Sequence, residues 1–274
     1  MEPRPQHVQI RDKSLRAVRR WAPLGLAALT LLLWVALAGP AISAELASEL
    51  RPNLKALPAD ELRLETDSAG RTYLRFSTTT WNGGFGPLEL VAGDRDAAKQ
   101  NIHQRIHLDD GSYYDVLAGT FEWHEQHGHF HFEDYALYTL QAADAPGASE
   151  RTSSKTTFCI IDTDRINHKL PGAPKRSVYR TCGSEIQGMS VGWGDRYPYY
   201  LAGQAIDVTD LPDGDYQLTI EVDPKNRLLE TNDADNTSTL SLRISVSDGT
   251  VEELSNGESG PGNGNGRGNG RGPR

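Results

Sequence analysis

From residue 62 onward the chain is written in short runs of alternating apolar and polar residues, broken by turn-forming clusters. That rhythm constrains the fold more than any other feature of the sequence. Residues 62–66 and 72–76 flank Asp67-Ser68-Ala69-Gly70 and read as a hairpin, and 106–108 and 113–116 read as another across Asp109-Asp110-Gly111. Residues 87–91 form a further short strand after the bend Gly83-Gly84-Phe85-Gly86. The segments 203–210, 215–223 and 237–246 alternate in the same way around turns such as Pro212-Asp213-Gly214. Long amphipathic helical patterns do not occur past the N-terminal segment. The expectation is a mainly β chain: a single β-sandwich-like domain with long loops over residues 45–250, large enough to bury its own core.

The two ends read differently. Residues 1–20 carry Arg4, Arg11, Lys13, Arg16, Arg19 and Arg20 against Glu2 and Asp12. An apolar run over 21–38 and the small residues Ala41-Ile42-Ser43-Ala44 follow. That order predicts a signal peptide over 1–44, cleaved near Ser43 or Ala44, or an uncleaved N-terminal membrane anchor. Either way the rest of the chain is expected to be secreted or extracytoplasmic. The whole chain has a formal charge of −9, and losing the basic leader makes the body more acidic still. Such a body argues against nucleic acid and anionic membrane as partners. Residues 251–274 are expected to be a disordered Gly/Asn/Arg-rich tail, since almost nothing apolar remains there after Ser255.

Half of the eight histidines lie in Trp123-His124-Glu125-Gln126-His127-Gly128-His129-Phe130-His131-Phe132. On an extended backbone His127, His129 and His131 leave from one face, and neutral imidazole suits copper, zinc, iron and nickel. The first and last would stand roughly 13 Å apart on a flat strand, at about 3.3 Å per residue. One ion therefore requires a curved ribbon, with Gly128 as the point of bending. The bland alternative is a solvated histidine face, but the flanking Trp123, Phe130 and Phe132 belong to a packed strand. His124 is a fourth ligand, a group behind the ligands or an acid/base. Cys159 and Cys182, alone in an exported chain, are expected to form a disulfide, worth roughly 3 kcal/mol through chain entropy.

Lys155 and Tyr197 carry no signal alone; a lysine before a strand is usually a solvated cation and a tyrosine beside Pro198 usually packs. The order of motifs changes that. The histidine run is followed by Lys155-Thr156-Thr157-Phe158-Cys159, then Cys182. Next come Gln187-Gly188-Met189-Ser190-Val191-Gly192-Trp193-Gly194-Asp195-Arg196-Tyr197, Gln204-Ala205-Ile206-Asp207 and Glu230-Thr231-Asn232-Asp233 with Asn236. In that order, over roughly residues 60–246, the chain resembles the lysyl oxidase family. The resemblance implies copper on His127, His129 and His131, and a lysine tyrosylquinone made from Lys155 and Tyr197. It also implies a Cys159–Cys182 disulfide, where animal relatives carry more. Tyr199 and Tyr200 compete for the quinone position, but the spacing to Gln204 favours Tyr197.

None of the twenty side chains is a good electron sink for amine oxidation, so the chemistry needs such a cofactor. The activity implied is oxidative deamination of primary amines, either peptidyl lysine or small amines and polyamines. Dioxygen is the acceptor, and aldehyde, ammonia and hydrogen peroxide are released. A base must reach the α-carbon; Asp207, Asp195 and His124 are the candidates, with Asp207 placed first. The rival reading is a non-catalytic secreted metal-binding β-sandwich, since residues 222–236 resemble strand pairs of adhesion modules. A cupin-type oxygenase would need a glutamate and a distant histidine in set spacing, which the sequence does not show.

Overall fold

The computed structural model describes residues 47–96, 99–125, 128–144 and 150–254. The expected leader over 1–44 and the tail from Ser255 lie outside the described residues, as does His127. No helix among the described residues is long and apolar enough to cross a membrane.

Every strand pair in the described chain is antiparallel. The chain enters through β1 (Glu49–Leu50) and β2 (Leu54–Ala56). The first expected hairpin forms from β3 (Asp60–Thr66) and β4 (Thr72–Asn82). Its turn is tied by Asp67, whose carboxylate accepts from the Ala69 and Arg71 backbone nitrogens. β5 (Leu88–Asp96), β6 (Lys99–Leu108) and β7 (Tyr113–His124) follow as a meander, and β7 pairs onward with β8 (His129–Phe132). Next come β9 (Ala136–Ala142) and four short strands: β10 (Arg151–Thr152), β11 (Asp164–Arg165), β12 (Ile186–Met189) and β13 (Trp193–Tyr197). β14 (Ala205–Asp207), β15 (Gly214–Val222), β16 (Thr237–Ser245) and β17 (Thr250–Glu253) complete the order. β17 pairs with β16 and carries the folded part past residue 250. The single helical turn among the described residues is Asp233–Asp235.

Three sheets result. One runs β12-β5-β6-β7-β8 with β1 on β6, and a second runs β10-β9-β15-β16-β17. The third is centred on β4, in the order β11-β13-β4-β14 with β2 and β3 added. All three contribute to one core: Leu90, Ile102 and Phe121 from the first, Leu140, Leu218 and Leu242 from the second, Leu74 and Phe76 from the third. Alternation explains the regular strands. In β15, Tyr216, Leu218, Ile220 and Val222 are buried while Gln217 faces solvent. Each such aliphatic side chain contributes about 1.5–3 kcal/mol of burial. β4 departs from the pattern because Ser77, Thr78, Thr79 and Thr80 are all buried. Two of these hydroxyls meet core tyrosines: Thr78 Oγ1 lies 2.9 Å from Tyr138 Oη, and Thr80 Oγ1 lies 2.9 Å from Tyr135 Oη.

Candidate active site

The histidine segment is a hairpin and not the curved single strand expected from its alternation. β7 ends at His124, β8 begins at His129, and these two residues face each other across the ladder. The chain reverses between them with Gly128 at φ +67°, a left-handed conformation that glycine adopts without penalty. Pairing sets His124 opposite His129 and Glu122 opposite His131, so His124, His129 and His131 share one face of the hairpin. The His124 and His131 rings stack at 4.7 Å, and the His129 and His131 rings lie 4.8 Å apart. Trp123 and Phe130 pack edge to face at 5.1 Å on the other side.

His129 Nε2 and His131 Nε2 point at each other across 2.8 Å. Two metal–nitrogen bonds of about 2.0–2.1 Å at a right angle would separate their nitrogens by about 2.9 Å, so this pair suits one imidazole-bound ion. His131 is almost fully buried, and its Nδ1 meets Thr157 Oγ1 at 3.1 Å, a second contact that holds the ring in place. Among the described residues no three His, Cys, Asp or Glu side chains form a complete metal-ligand set. The third expected ligand, His127, lies outside them.

The Lys155 segment reaches the histidines by running beside β8. Phe132 and Phe158 exchange backbone hydrogen bonds of 2.7 and 3.1 Å, and Tyr135 N donates to Thr156 O at 2.9 Å. Cys159 is disulfide-bonded to Cys182, as expected, with Cα atoms 5.4 Å apart. Cys182 O in turn accepts from Phe130 N at 3.2 Å. Gln187 completes this corner: its amide donates to Phe130 O and Gly183 O and accepts from Ile160 N. The disulfide thus ties the lysine segment, the histidine strand and the loop before β12 into one unit.

Tyr197 closes β13, paired with Thr78 of β4. Its hydroxyl donates to Cys159 O at 2.6 Å, and its ring packs edge to face on Phe158 at 4.9 Å. Lys155 Nζ lies 4.5 Å from the centroid of that ring and 4.8 Å from that of Phe158. Two residues distant in sequence are therefore face to face. Lys155, Tyr197, Asp195 and His129 line one cavity of about 370 Å³, walled by the disulfide, Ile161 and Leu201.

Burial governs the titration of this cavity. Loss of water lowers the Lys155 ammonium to about 8, only partly opposed by the nearby Asp195 carboxylate. Asp195 is 3% exposed; burial raises its pKa far above the ordinary carboxylate range, against a 3.3 Å hydrogen bond from Ile161 N and the charge of Lys155. Burial, then the Asp195 charge, raises Tyr197 as well. Asp207 is placed elsewhere. Its exposed carboxylate on β14 accepts from the Thr209 hydroxyl and backbone nitrogen, which lowers its pKa, and it does not line the cavity. His124 borders a separate space of about 240 Å³ on another side of Lys155.

Sequence reasoning quoted Thr157 and Gln187 within motifs but assigned neither a task. Their contacts cross between segments distant in sequence, so no local pattern announces them. An alternating histidine run with a hydroxyl two residues past the lysine was the one available signal.

Comparison with known proteins agrees with the motif order. The family model described as Lysyl oxidase matches residues 50–253. The chain is 35% identical over 118 residues to lysyl oxidase homolog 1 of Homo sapiens, covering 43% of this chain and 19% of that protein. It is 33% identical over 118 residues to lysyl oxidase homolog 3B of Danio rerio, covering 43% of this chain and 14% of the relative. These matches therefore span less than a fifth of the curated relatives' length.

Proposed function

The chain belongs to the lysyl oxidase family, and on that premise we propose that it is a copper- and quinone-dependent amine oxidase working outside the cytoplasm. The observation that carries the proposal is the Lys155 amine 4.5 Å from the Tyr197 ring, in a cavity that His129 also lines. In this reading His127, His129 and His131 hold copper, and residues 1–44 are the secretory leader or anchor. When formed, the lysine tyrosylquinone supplies the electron sink that oxidises a primary amine, with dioxygen as final acceptor and aldehyde, ammonia and hydrogen peroxide as products.

The chain's own groups have distinct tasks. His131, steadied by Thr157, and His129 present nitrogens to the ion. Partial neutrality of Lys155 near pH 8 leaves its nitrogen lone pair free to bond to the tyrosine ring. The disulfide, Ile161 and Leu201 exclude water and cover an alkyl stem, so a primary amine on an apolar chain is the substrate class. Asp195, not Asp207, is the base proposed for the α-proton: it stands inside the cavity, and its raised pKa makes its anion the stronger proton acceptor.

The test is to load the exported form with copper, treat it with phenylhydrazine and map the coloured adduct. It is expected on a peptide joining Lys155 to Tyr197, and Tyr197→Phe should keep copper yet release no peroxide. Wild-type peroxide release by that variant would sink the cofactor assignment.

A further inference from the structure

A lysine is a poor choice for a residue that must hit one ring position. Its four-carbon stem is flexible, and holding it in one rotamer costs up to about 2 kcal/mol of entropy. Something must therefore hold Lys155. The segment after Tyr197 does. Lys155 Nζ donates to Ala202 O at 3.4 Å. Gly203 lies flat on the stem: a Cβ there would sit 2.7 Å from Lys155 Cδ and 2.8 Å from Lys155 Cβ, and its φ of +82° already excludes a side chain at low cost.

That segment is itself clamped. Arg75 Nε and Nη2 donate to Tyr199 O at 2.9 and 2.7 Å, and Nη2 also reaches Leu201 O at 3.0 Å. The Arg63 guanidinium, opposite Arg75 in the β3–β4 ladder, stacks 3.5 Å from the Tyr199 ring centroid. Tyr199 N donates to Ser77 Oγ at 2.8 Å. At the far end Gln204 is fully buried, and its amide donates to Thr78 Oγ1 and Tyr138 Oη. Two successive turns, Leu201 N to Pro198 O and Gln204 N to Leu201 O, join these anchors. The same guanidinium pairs with Glu65 at 3.4 Å, so one charged group, held from β3, ties down two carbonyls of the loop through charge-assisted hydrogen bonds.

We propose that residues 198–204 form a strap, fixed from β4 by Arg75, which presses Lys155 against the Tyr197 ring, making Arg75 and Gly203 positioning residues for formation of the cross-link. The inference rests on the quinone reading above and adds to it the element that selects the lysine's aim. In the step concerned, dioxygen is the oxidant. The tyrosine ring gains one oxygen and exchanges a C–H for a C–N bond to Lys155 Nζ, and the hydrogens removed leave as water and hydrogen peroxide. Reacting atoms need an approach of about 3–3.5 Å, and a misplacement of about 1 Å costs on the order of 100-fold. Loosening the strap should therefore slow cross-linking far more than it disturbs folding.

The experiment uses full chain prepared without copper, then given copper and air, with the Lys155–Tyr197 peptide followed by mass spectrometry against bound copper and thermal melting. Arg75→Met removes the clamp from below, and Gly203→Ala pushes on the lysine stem from above. Both are expected to bind copper as the wild type does and to cross-link at least about tenfold more slowly. Arg75→Lys, which keeps one donor, should fall between. Arg243→Met, which only breaks the surface pair with Asp215, should match the wild type. If the wild type never forms the peptide, the quinone reading fails. A wild type that forms it beside strap variants of equal rate, or variants that lose copper and fold along with the cross-link, would overturn the strap alone.

Discussion

The sheet around β15 and the segment between residues 153 and 204 solve the same problem in opposite ways. β15 lies between β9 and β16 in unbroken antiparallel register, and its backbone groups satisfy one another. Its side chains need only be alternately apolar and polar, and they are. The segment 153–204 has strands of two to five residues and leaves most backbone groups without a ladder. Side chains take their place. Buried Asp162 accepts from Ser190 N, Ser190 Oγ, Val178 N and Tyr179 N, and Asp195 accepts from Ile161 N. A ladder gives stability that many sequences could supply. Irregular chain held by single polar contacts brings unlike groups together in one cavity, and each contact is then hard to replace.

That contrast can be broken at its weakest point. If the irregular region exists to hold chemistry, Asp195→Asn should lower kcat by about 10²- to 10⁴-fold, the range expected for a general base, while the copper content stays normal. Asp207→Asn, altering a solvent-facing carboxylate on a short strand, should stay close to the wild type. Equal losses from both would return Asp207 to the role first given it and empty the cavity argument. Steady-state peroxide release measures either outcome.

The regular sheet should respond in stability alone. Leu218→Ala removes a fully buried side chain from β15 and should cost about 2–5 kcal/mol in a denaturant titration. Cross-link content per folded molecule should not change; a lower content would mean that the two regions are mechanically coupled.

The smallest effect is expected from pH. Lys155 is lowered by burial to about 8 from its ordinary 10.5, so between those values the unfolded chain binds the extra proton and the folded chain does not. Stability from this group is therefore full above pH 10.5 and is lost as pH falls through 8. Cross-linking, which uses the neutral amine, should speed up as pH rises from 7 and level off above about 8. A flat pH–rate profile over that interval would contradict the burial of the amine.

How much of this was legible in the sequence follows the same divide. The hairpins across Asp67–Gly70 and Asp109–Gly111, and the strands β15 and β16, were readable because period and turn chemistry are local. The two cysteines paired as expected. That His129 and His131 leave from one face was legible too, but not the reversal that brings His124 onto it: an i, i+2 pattern looks alike in a curved strand and across a tight turn at Gly128. Lys155 and Tyr197 carried no periodic signal, and only motif order against a known family singled them out. The choice between Asp195 and Asp207 was beyond local reasoning, because the flanks misdirect it: the buried Asp195 sits between Gly194 and Arg196, and the exposed Asp207 between Ile206 and Val208.

Residue order alone was enough for a β fold and the inventory of candidate reactive groups, since propensity and alternation act over a few residues. The meeting of Lys155 with Tyr197, the stacking of His124 on His131 and the burial that separates Asp195 from Asp207 belong to the tertiary structure. They depend on which strands lie side by side and on how much water is removed between them, and both are properties of the assembled core.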